Sequence, residues 1–181
     1  MRRALSVIAA GIVFSGSALV LEAQKTTPLA TGSGGSPHVR TEWTIDGANI
    51  SIEYGRPYLK GREEATMMPP GSPWRTGADQ ATVIKTDKPL KFGTVSLAPG
   101  SYTINTQPGA EWQLILGRLE KPGQWGIPYN AKLEIGRTPM KAGKAAKPVE
   151  QVTIAIDDTP AGANLRLEWG TTSVVAPFTV G

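Results

Sequence analysis

The 181-residue sequence contains no cysteine and only one histidine. Without cysteine the chain has no disulfide, no thiolate zinc site, no iron–sulfur cluster and no cysteine nucleophile. A single imidazole, His38, cannot build a metal site alone, and no H-x-H or D-x-D-x-D spacing offers further ligands. Lone histidines of this kind are usually surface or strand-start residues. We therefore expect no metal, no cofactor and no catalytic residue of these classes.

Aromatic residues make up only 7% of the chain and charged residues 19%, whereas 40% of the residues are hydrophobic. That apolar fraction is enough for a core, and it excludes disordered and fibrous classes. The formal net charge of +4 gives no more than weak, salt-sensitive attraction to polyanions. The chain carries no nucleic-acid-binding motif, so we expect no nucleic-acid partner.

The N-terminus has the pattern of a secretory signal peptide. Arg2 and Arg3 precede an uncharged, mostly apolar stretch from Ala4 to Leu21, and Ala23 offers a small residue for cleavage. The stretch approaches the length of a membrane anchor, but glycine and serine residues dilute it. We expect residues 1–23 to be removed. The mature protein is then free in the periplasm or outside the cell, without stable membrane insertion.

Short runs of alternating polar and apolar residues dominate the mature chain. In one of them Ile50, Ile52 and Tyr54 share a face, because successive side chains of a strand point to opposite sides. Residues 24–37 are rich in Gly, Ser, Thr and Pro and are predicted to be a flexible tether. Residues 38–181 are predicted to be a single β domain, with a short helix between Leu59 and Met68.

Three Pro-Gly pairs predict the turns between strands, with glycine at the positive φ that a type II turn requires at Gly100, Gly109 and Gly123. Turns recur every 8–14 residues along the chain. The fold class is therefore all-β: an antiparallel β-sandwich or a partly closed barrel of about ten short strands.

Two segments carry side chains that are unusual for plain scaffolding, Glu53 to Glu64 and Pro73 to Val83. Guanidinium groups suit carboxylate, phosphate or sulfate, and aromatic faces suit sugar rings. In an alternative interpretation the same arginines pack over rings and tie down loop carbonyls. The candidate ligand-binding residues are Arg56, Tyr58, Lys60, Arg62, Trp74, Arg75, Thr76, Asp79 and Trp125.

Carboxylates provide a second kind of candidate. Glu53 or Asp79 could act as the general acid or base of a hydrolase, although an ion pair from Glu53 to Arg56 or Arg62 explains Glu53 as well. Asp157 and Asp158 precede a turn, and adjacent strand residues point to opposite faces, so they make a poor acid–base pair. The basic stretch of residues 137–147 is predicted to be a solvated connection between strands.

An ordered series of motifs resembles the bacterial exported domain of unknown function DUF2911, over Ser36 to Phe178. The resemblance implies an exported, mostly β domain with no assigned reaction. Family members usually show Asn then Glu where this chain has Asp79 and Gln80, which moves the carboxylate to the other face of a strand. The motifs are Glu53-Tyr54-Gly55-Arg56-Pro57, Lys60-Gly61-Arg62, Trp74-Arg75-Thr76-Gly77-Ala78, Leu97-Ala98-Pro99-Gly100, Tyr102, Glu111-Trp112, Gln124-Trp125-Gly126 and Leu165 to Trp169.

The sequence thus favours a non-catalytic exported module that binds a small anionic or carbohydrate ligand, or a partner in the cell envelope. The first alternative is a hydrolase that acts on an envelope or glycan substrate through Glu53 or Asp79. The second is a purely structural or interaction domain. The observation that distinguishes these hypotheses is whether Arg56, Arg62 and Arg75 meet at a concave surface or lie apart as struts.

Overall fold

The computed structural model describes residues 24–181. It confirms the predicted class, because these residues are nearly all antiparallel β-structure, and the sheet is not closed into a barrel. One helix, α1, spans Glu64–Met67, inside the predicted helical segment, and a single 3-10 turn spans Ala131–Leu133. The strands are β1 (Lys25–Thr31), β2 (Pro37–Ile45), β3 (Ala48–Gly55), β4 (Thr82–Thr86), β5 (Leu90–Phe92), β6 (Val95–Leu97), β7 (Gly100–Gln107), β8 (Trp112–Arg118), β9 (Glu134–Thr159) and β10 (Gly162–Val180).

All ten strands belong to one sheet, in the order β1-β2-β3-β4-β7-β8-β9-β10-β5-β6. The predicted signal peptide lies outside the described residues. Within residues 24–181, no helix is both long and apolar enough to cross a membrane.

The β9–β10 hairpin is long and folds back on itself. Its ladder shifts register on both sides of Gly170, which has φ +60°. At the tip of the hairpin, a Cβ added at Gly162 would lie only 2.4 Å from the carbonyl oxygen of Phe178, near the other end of the same strand. The bend at Gly170 therefore turns one continuous sheet into two packed layers.

The core lies between these layers, and the predicted alternation is confirmed at Ile50, Ile52 and Tyr54, which are all buried. The Tyr54 hydroxyl accepts a hydrogen bond of 3.0 Å from the backbone N–H of Ile154, which joins β3 to β9. Trp169 on β10 is 1% exposed and is among the largest fully buried side chains.

Part of the segment predicted as a flexible tether is instead strand β1, paired with β2 from Lys25↔Glu42 to Thr31↔Pro37. Its side chains are almost all exposed, so the sequence shows no apolar face. The backbone hydrogen bonds of an edge strand do not need one. Pro28, which has no N–H to donate, sits beside a register shift, as prolines in edge strands commonly do.

Two further expectations from sequence are wrong in detail. The basic stretch of residues 137–147 is not a connection but lies inside β9, with Lys141 and Lys144 paired to β10 and exposed to solvent. Among the Pro-Gly turns, Gly123 has the expected positive φ, at +69°, whereas Gly109 does not. Backbone pairing of β9 to β10 overrides the local signal of the basic stretch.

Glu64 fastens α1 to the bend of β10. Its carboxylate accepts hydrogen bonds from the backbone N–H of Thr171 at 2.6 Å and from the hydroxyls of Thr171 at 3.0 Å and Thr172 at 2.5 Å. Burial acts to raise the pKa of Glu64, but the hydrogen bonds from Thr171 and Thr172 outweigh it and lower the pKa below its ordinary value. A lowered pKa means that the stabilisation is present above the unfolded-state pKa and is lost as pH falls through the folded-state pKa.

We therefore predict that Glu64→Gln lowers the free energy of unfolding by about 1 kcal/mol at neutral pH. The loss should shrink as the pH is lowered below about 4, where the carboxyl of the wild type becomes protonated as well. Urea unfolding across this pH range measures it. Glu63→Gln is the matched control, because the Glu63 side chain makes no capping hydrogen bond. Equal effects of the two substitutions at neutral pH would contradict the prediction.

Candidate functional site

The two segments singled out in the sequence meet at one cavity of about 410 Å³, which we call the cationic cavity. Its walls come from the loop after β3, the loop before β4, the β1–β2 loop and Trp169 of β10. Six of the nine candidate residues line it: Tyr58, Lys60, Arg62, Trp74, Arg75 and Asp79.

Backbone pairing brings the loop after β3 to β9. The Leu59 N–H donates to the Glu150 carbonyl at 2.7 Å, and the Val152 N–H donates to the Pro57 carbonyl at 3.0 Å. Tyr58 between them forms an isolated bridge with Gln151. This short ladder holds the loop that carries the first group of candidate residues.

The loop before β4 is held in the same way by β7. Trp74 and Thr106 exchange two backbone hydrogen bonds, of 2.7 and 2.9 Å. The Trp74 ring stacks on the buried ring of Trp169, with centroids 5.6 Å apart and planes 11° apart. Stacking on a core residue fixes Trp74 as a rigid wall of the cationic cavity.

The cations of the cavity differ from three other arginines of the protein in having no carboxylate partner. Arg40, Arg137 and Arg166 are paired with Glu53, Glu134 and Asp157, and the hydrogen bonds that they donate to these carboxylates raise the pKa of each arginine. Among residues 24–181, no carboxylate lies within ion-pair distance of the Lys60 ammonium or of the Arg62 and Arg75 guanidinium groups, although Glu150 accepts a hydrogen bond of 2.7 Å from the Lys60 backbone N–H. Their charge is available to a ligand.

Hydrogen bonds to loop carbonyls orient the two guanidinium groups. Arg62 donates to the carbonyls of Leu59, at 2.9 Å from Nε, and Tyr58, and Arg75 donates from Nε to Gly77 at 3.2 Å. Within the described chain, Nη1 of Arg62 and both Nη atoms of Arg75 have no protein partner. The Nζ of Lys60 lies 5.9 Å from the centroid of the Tyr58 ring.

Asp79, the carboxylate on the cavity wall, is engaged by protein groups. Its Oδ2 lies 2.9 Å from Nε2 of His38, and its Oδ1 accepts a 3.3 Å hydrogen bond from the Ser33 hydroxyl. Asp79 adopts φ +62°, a left-handed conformation that Asp tolerates better than most residues. These contacts fasten the start of β2 and the β1–β2 loop to the loop before β4, and so close one side of the cavity.

Sequence reasoning missed this pair. It predicted His38 to be a surface or strand-start residue, and His38 is indeed the second residue of β2, but its side chain is largely buried. The His38 and Asp79 side chains are only 12% and 10% exposed. The two residues lie 41 positions apart, on elements that meet only in the folded sheet. No local spacing could have revealed the contact.

Three candidate residues lie outside the cationic cavity. Arg56 is a strut between β3 and β9, since it donates to the Val152 carbonyl at 2.8 Å and to the Thr153 hydroxyl at 2.9 Å. Thr76 is buried and donates from its hydroxyl toward Thr106 at 3.1 Å. Trp125 is 50% exposed and lines a neighbouring cavity.

The other acidic candidates form ion pairs. The ion pair predicted from Glu53 to Arg56 or Arg62 is wrong, because Glu53 instead accepts a 2.8 Å hydrogen bond from Nε of Arg40 on the adjacent strand. It is not among the residues that line the cationic cavity with Asp79. Asp157 pairs with Arg166 across the hairpin at 2.6 Å, three residues before the turn at Pro160. In the described part of the chain, no cluster of three or more His, Asp and Glu residues could hold a metal ion.

Comparison with protein families finds one match, to a family described as "Protein of unknown function (DUF2911)", over residues 36–178. These residues include every strand except β1 and the last two residues of β10, so the match covers both loops of the cationic cavity. Comparison with curated proteins and with solved structures finds no match.

Proposed function

Since the chain belongs to the DUF2911 family, whose description assigns no function, we propose a function from the geometry of the site: the protein is a binding module for a small anionic ligand. The ligand occupies the cationic cavity, and its carboxylate or phosphate interacts with Lys60, Arg62 and Arg75. The observation that carries the proposal is the convergence of three cations, unpaired among the described residues, on one concave surface.

The unpaired state of these cations favours ligand binding over a structural role. A structural arginine is usually satisfied by carboxylates or by carbonyl and hydroxyl oxygens, as Arg166 and Arg56 are here. Arg62 likewise donates to two loop carbonyls. Arg75 instead keeps both Nη atoms free of protein partners in the described chain, although it is half-buried. A planar group with two parallel N–H donors is suited to a carboxylate or phosphate.

The size and walls of the cavity also suit a small ligand. Its volume, about 410 Å³, lies within the range of small-molecule sites. Tyr58, Trp74 and Met67 provide apolar wall beside the cations. An aromatic ring next to a guanidinium group is suited to a ring-shaped molecule that carries one negative charge, such as a uronic acid or a sugar phosphate.

We predict that glucuronate or glucose 6-phosphate binds to the purified protein and that neutral glucose does not. Arg75→Ala should weaken binding about tenfold or more, because one charge-assisted hydrogen-bond pair is lost, and Lys60→Ala should add to that loss. Isothermal titration calorimetry at two salt concentrations measures both effects. Affinity should fall as salt rises, since the cavity is open to solvent.

Lys144→Ala is the matched control, because Lys144 is an exposed cation on β9 away from the cavity. Equal losses for Lys144→Ala and Arg75→Ala would show a general charge effect and contradict the assigned site. If Arg75→Ala lowers the melting temperature while no anionic probe binds the wild type, the domain is structural and the proposal fails.

We further propose that the module is exported, on the pattern of Arg2, Arg3 and the apolar stretch from Ala4 to Leu21. Cleavage near Ala23 would release a periplasmic or secreted protein, and an anionic envelope component is then a natural ligand. Mass spectrometry of the secreted or periplasmic form tests this. An intact N-terminus in the cytoplasmic fraction would contradict it.

A further inference from the structure

Trp125 is a large, exposed aromatic residue that does not line the cationic cavity. It lies in the loop between β8 and the 3-10 turn, and half of its surface is exposed. Two flanking backbone hydrogen bonds hold it rigidly: the Ala81 N–H donates to the Gln124 carbonyl at 2.9 Å, and the Gly126 N–H donates to the Asp79 carbonyl at 3.0 Å. The exposed indole is therefore presented on a fixed backbone rather than on a free loop.

The cavity beside Trp125 has a different chemistry from the cationic cavity. Its volume is about 620 Å³, and its lining includes the polar side chains of Thr103, Asn105 and Gln124. Its charged residues are balanced, two acidic and two basic: Glu120, Glu134, Lys121 and Lys132. An indole face among uncharged hydrogen-bonding groups is suited to a neutral sugar ring.

One of the two acidic residues of this second cavity, Glu134, is engaged by internal contacts. The Glu134 carboxylate accepts hydrogen bonds from Nε of Arg137 at 2.7 Å and from the Tyr129 phenol. Burial and the hydrogen bond to Glu134 raise the pKa of Tyr129 to about 12, so the phenol keeps its proton. At Glu134 the cavity beside Trp125 thus has no free carboxylate to repel an acidic chain, and the negative charge of Glu120 is balanced within the lining by Lys121 and Lys132.

The two cavities are neighbours and share a wall. Ile127, which is 54% exposed, lines both of them. The loop that carries Trp125 also lies directly on Arg75, since a Cβ added at Gly126 would come within 2.6 Å of Cδ of Arg75. A ligand longer than one sugar ring that starts in the cationic cavity therefore reaches the Trp125 surface over Ile127.

We propose that Trp125 forms a second subsite, which stacks on an uncharged sugar ring, and that the physiological ligand is an acidic oligosaccharide spanning both cavities. The negatively charged unit occupies the cationic cavity and the adjacent neutral unit lies on the Trp125 indole, with Ile127 between them. This inference rests on the proposed function, because it requires an anionic unit beside Lys60 and Arg75.

The test compares three probes: glucuronate, a tri-N-acetylglucosamine oligomer, and a hyaluronan tetrasaccharide that alternates the two sugar types. We expect the tetrasaccharide to bind at least about tenfold more tightly than glucuronate, since a stacked aromatic contact is worth a factor of that size. Trp125→Ala should remove this gain and leave glucuronate affinity unchanged. Arg75→Ala should weaken the binding of both glucuronate and the tetrasaccharide.

The five tryptophans provide a second readout, since each indole N–H gives one NMR signal. The signal that disappears in Trp125→Phe identifies Trp125, and it should shift with the tetrasaccharide but not with glucuronate. Ile135→Ala is the control, because Ile135 is another exposed apolar side chain that lines neither cavity. It should leave all affinities unchanged.

The outcomes separate this inference from the proposed function. If glucuronate binds, and the tetrasaccharide binds no more tightly or is unaffected by Trp125→Ala, the second subsite is overturned and the anion site stands. If neither acidic probe binds, both fail. If the neutral oligomer binds as tightly as the tetrasaccharide, Trp125 is an independent sugar site, and the spanning ligand is overturned.

Discussion

Trp169→Ala is expected to lower the free energy of unfolding by about 3–5 kcal/mol. The indole is 1% exposed and packs between the two layers of the folded sheet, so its removal leaves a large cavity in the core. It also removes the ring on which Trp74 stacks and the hydrogen bond of 3.2 Å from Nε1 to the Glu150 carbonyl. Urea unfolding followed by circular dichroism measures the loss.

Trp125→Ala is the matched control for this substitution. It deletes the same side chain from a half-exposed position, so the free energy of unfolding should change by no more than about 0.5 kcal/mol. Comparable losses for the two variants would mean that Trp169 is not enclosed between two layers, and the description of the bent β9–β10 hairpin would be wrong.

The strands could be predicted from sequence because their signal is local. Ile50, Ile52 and Tyr54 alternate with polar residues, and that period alone places them on one buried face. A strand that buries no side chains shows no alternation of polar and apolar residues, so the sequence predicts a tether where the structure has β1. The alternation is also absent from Lys141 to Lys147, where β9 continues through exposed basic residues.

The candidate site was only partly predictable, because each cavity is assembled by pairing between distant strands. The composition of the two loops identified Lys60, Arg62 and Arg75 as unusual, but not which arginines would be used as struts. Arg56 is a strut because the Val152 carbonyl, on a strand almost a hundred residues away, accepts its hydrogen bond. Nothing in the local sequence distinguishes it from Arg75. The His38–Asp79 pair depends on the same long-range geometry.

Gly55→Val is expected to destabilise the protein by about 1–3 kcal/mol and to open the cationic cavity. Gly55 ends β3, where any Cβ would lie 2.4 Å from the Ala78 carbonyl and 2.9 Å from Nε2 of His38. The Ala78 carbonyl is backbone and cannot rotate away, so the loop before β4 must move. That displacement separates His38 from Asp79 and shifts Arg75, so glucuronate affinity should fall with stability.

The single histidine makes the displacement observable without any ligand. The imidazole NMR signals can only come from His38, and they should move in Gly55→Val because the contact with the Asp79 carboxylate is lost. Gly143→Val is the control: the nearest atom to its added Cβ is 3.8 Å away on an exposed strand, where valine is favoured. It should leave stability and the imidazole signals as they are. If Gly55→Val behaves like this control, the loop before β4 does not pack on β3 as described. The cationic cavity would then lack the wall that holds Arg75 in place.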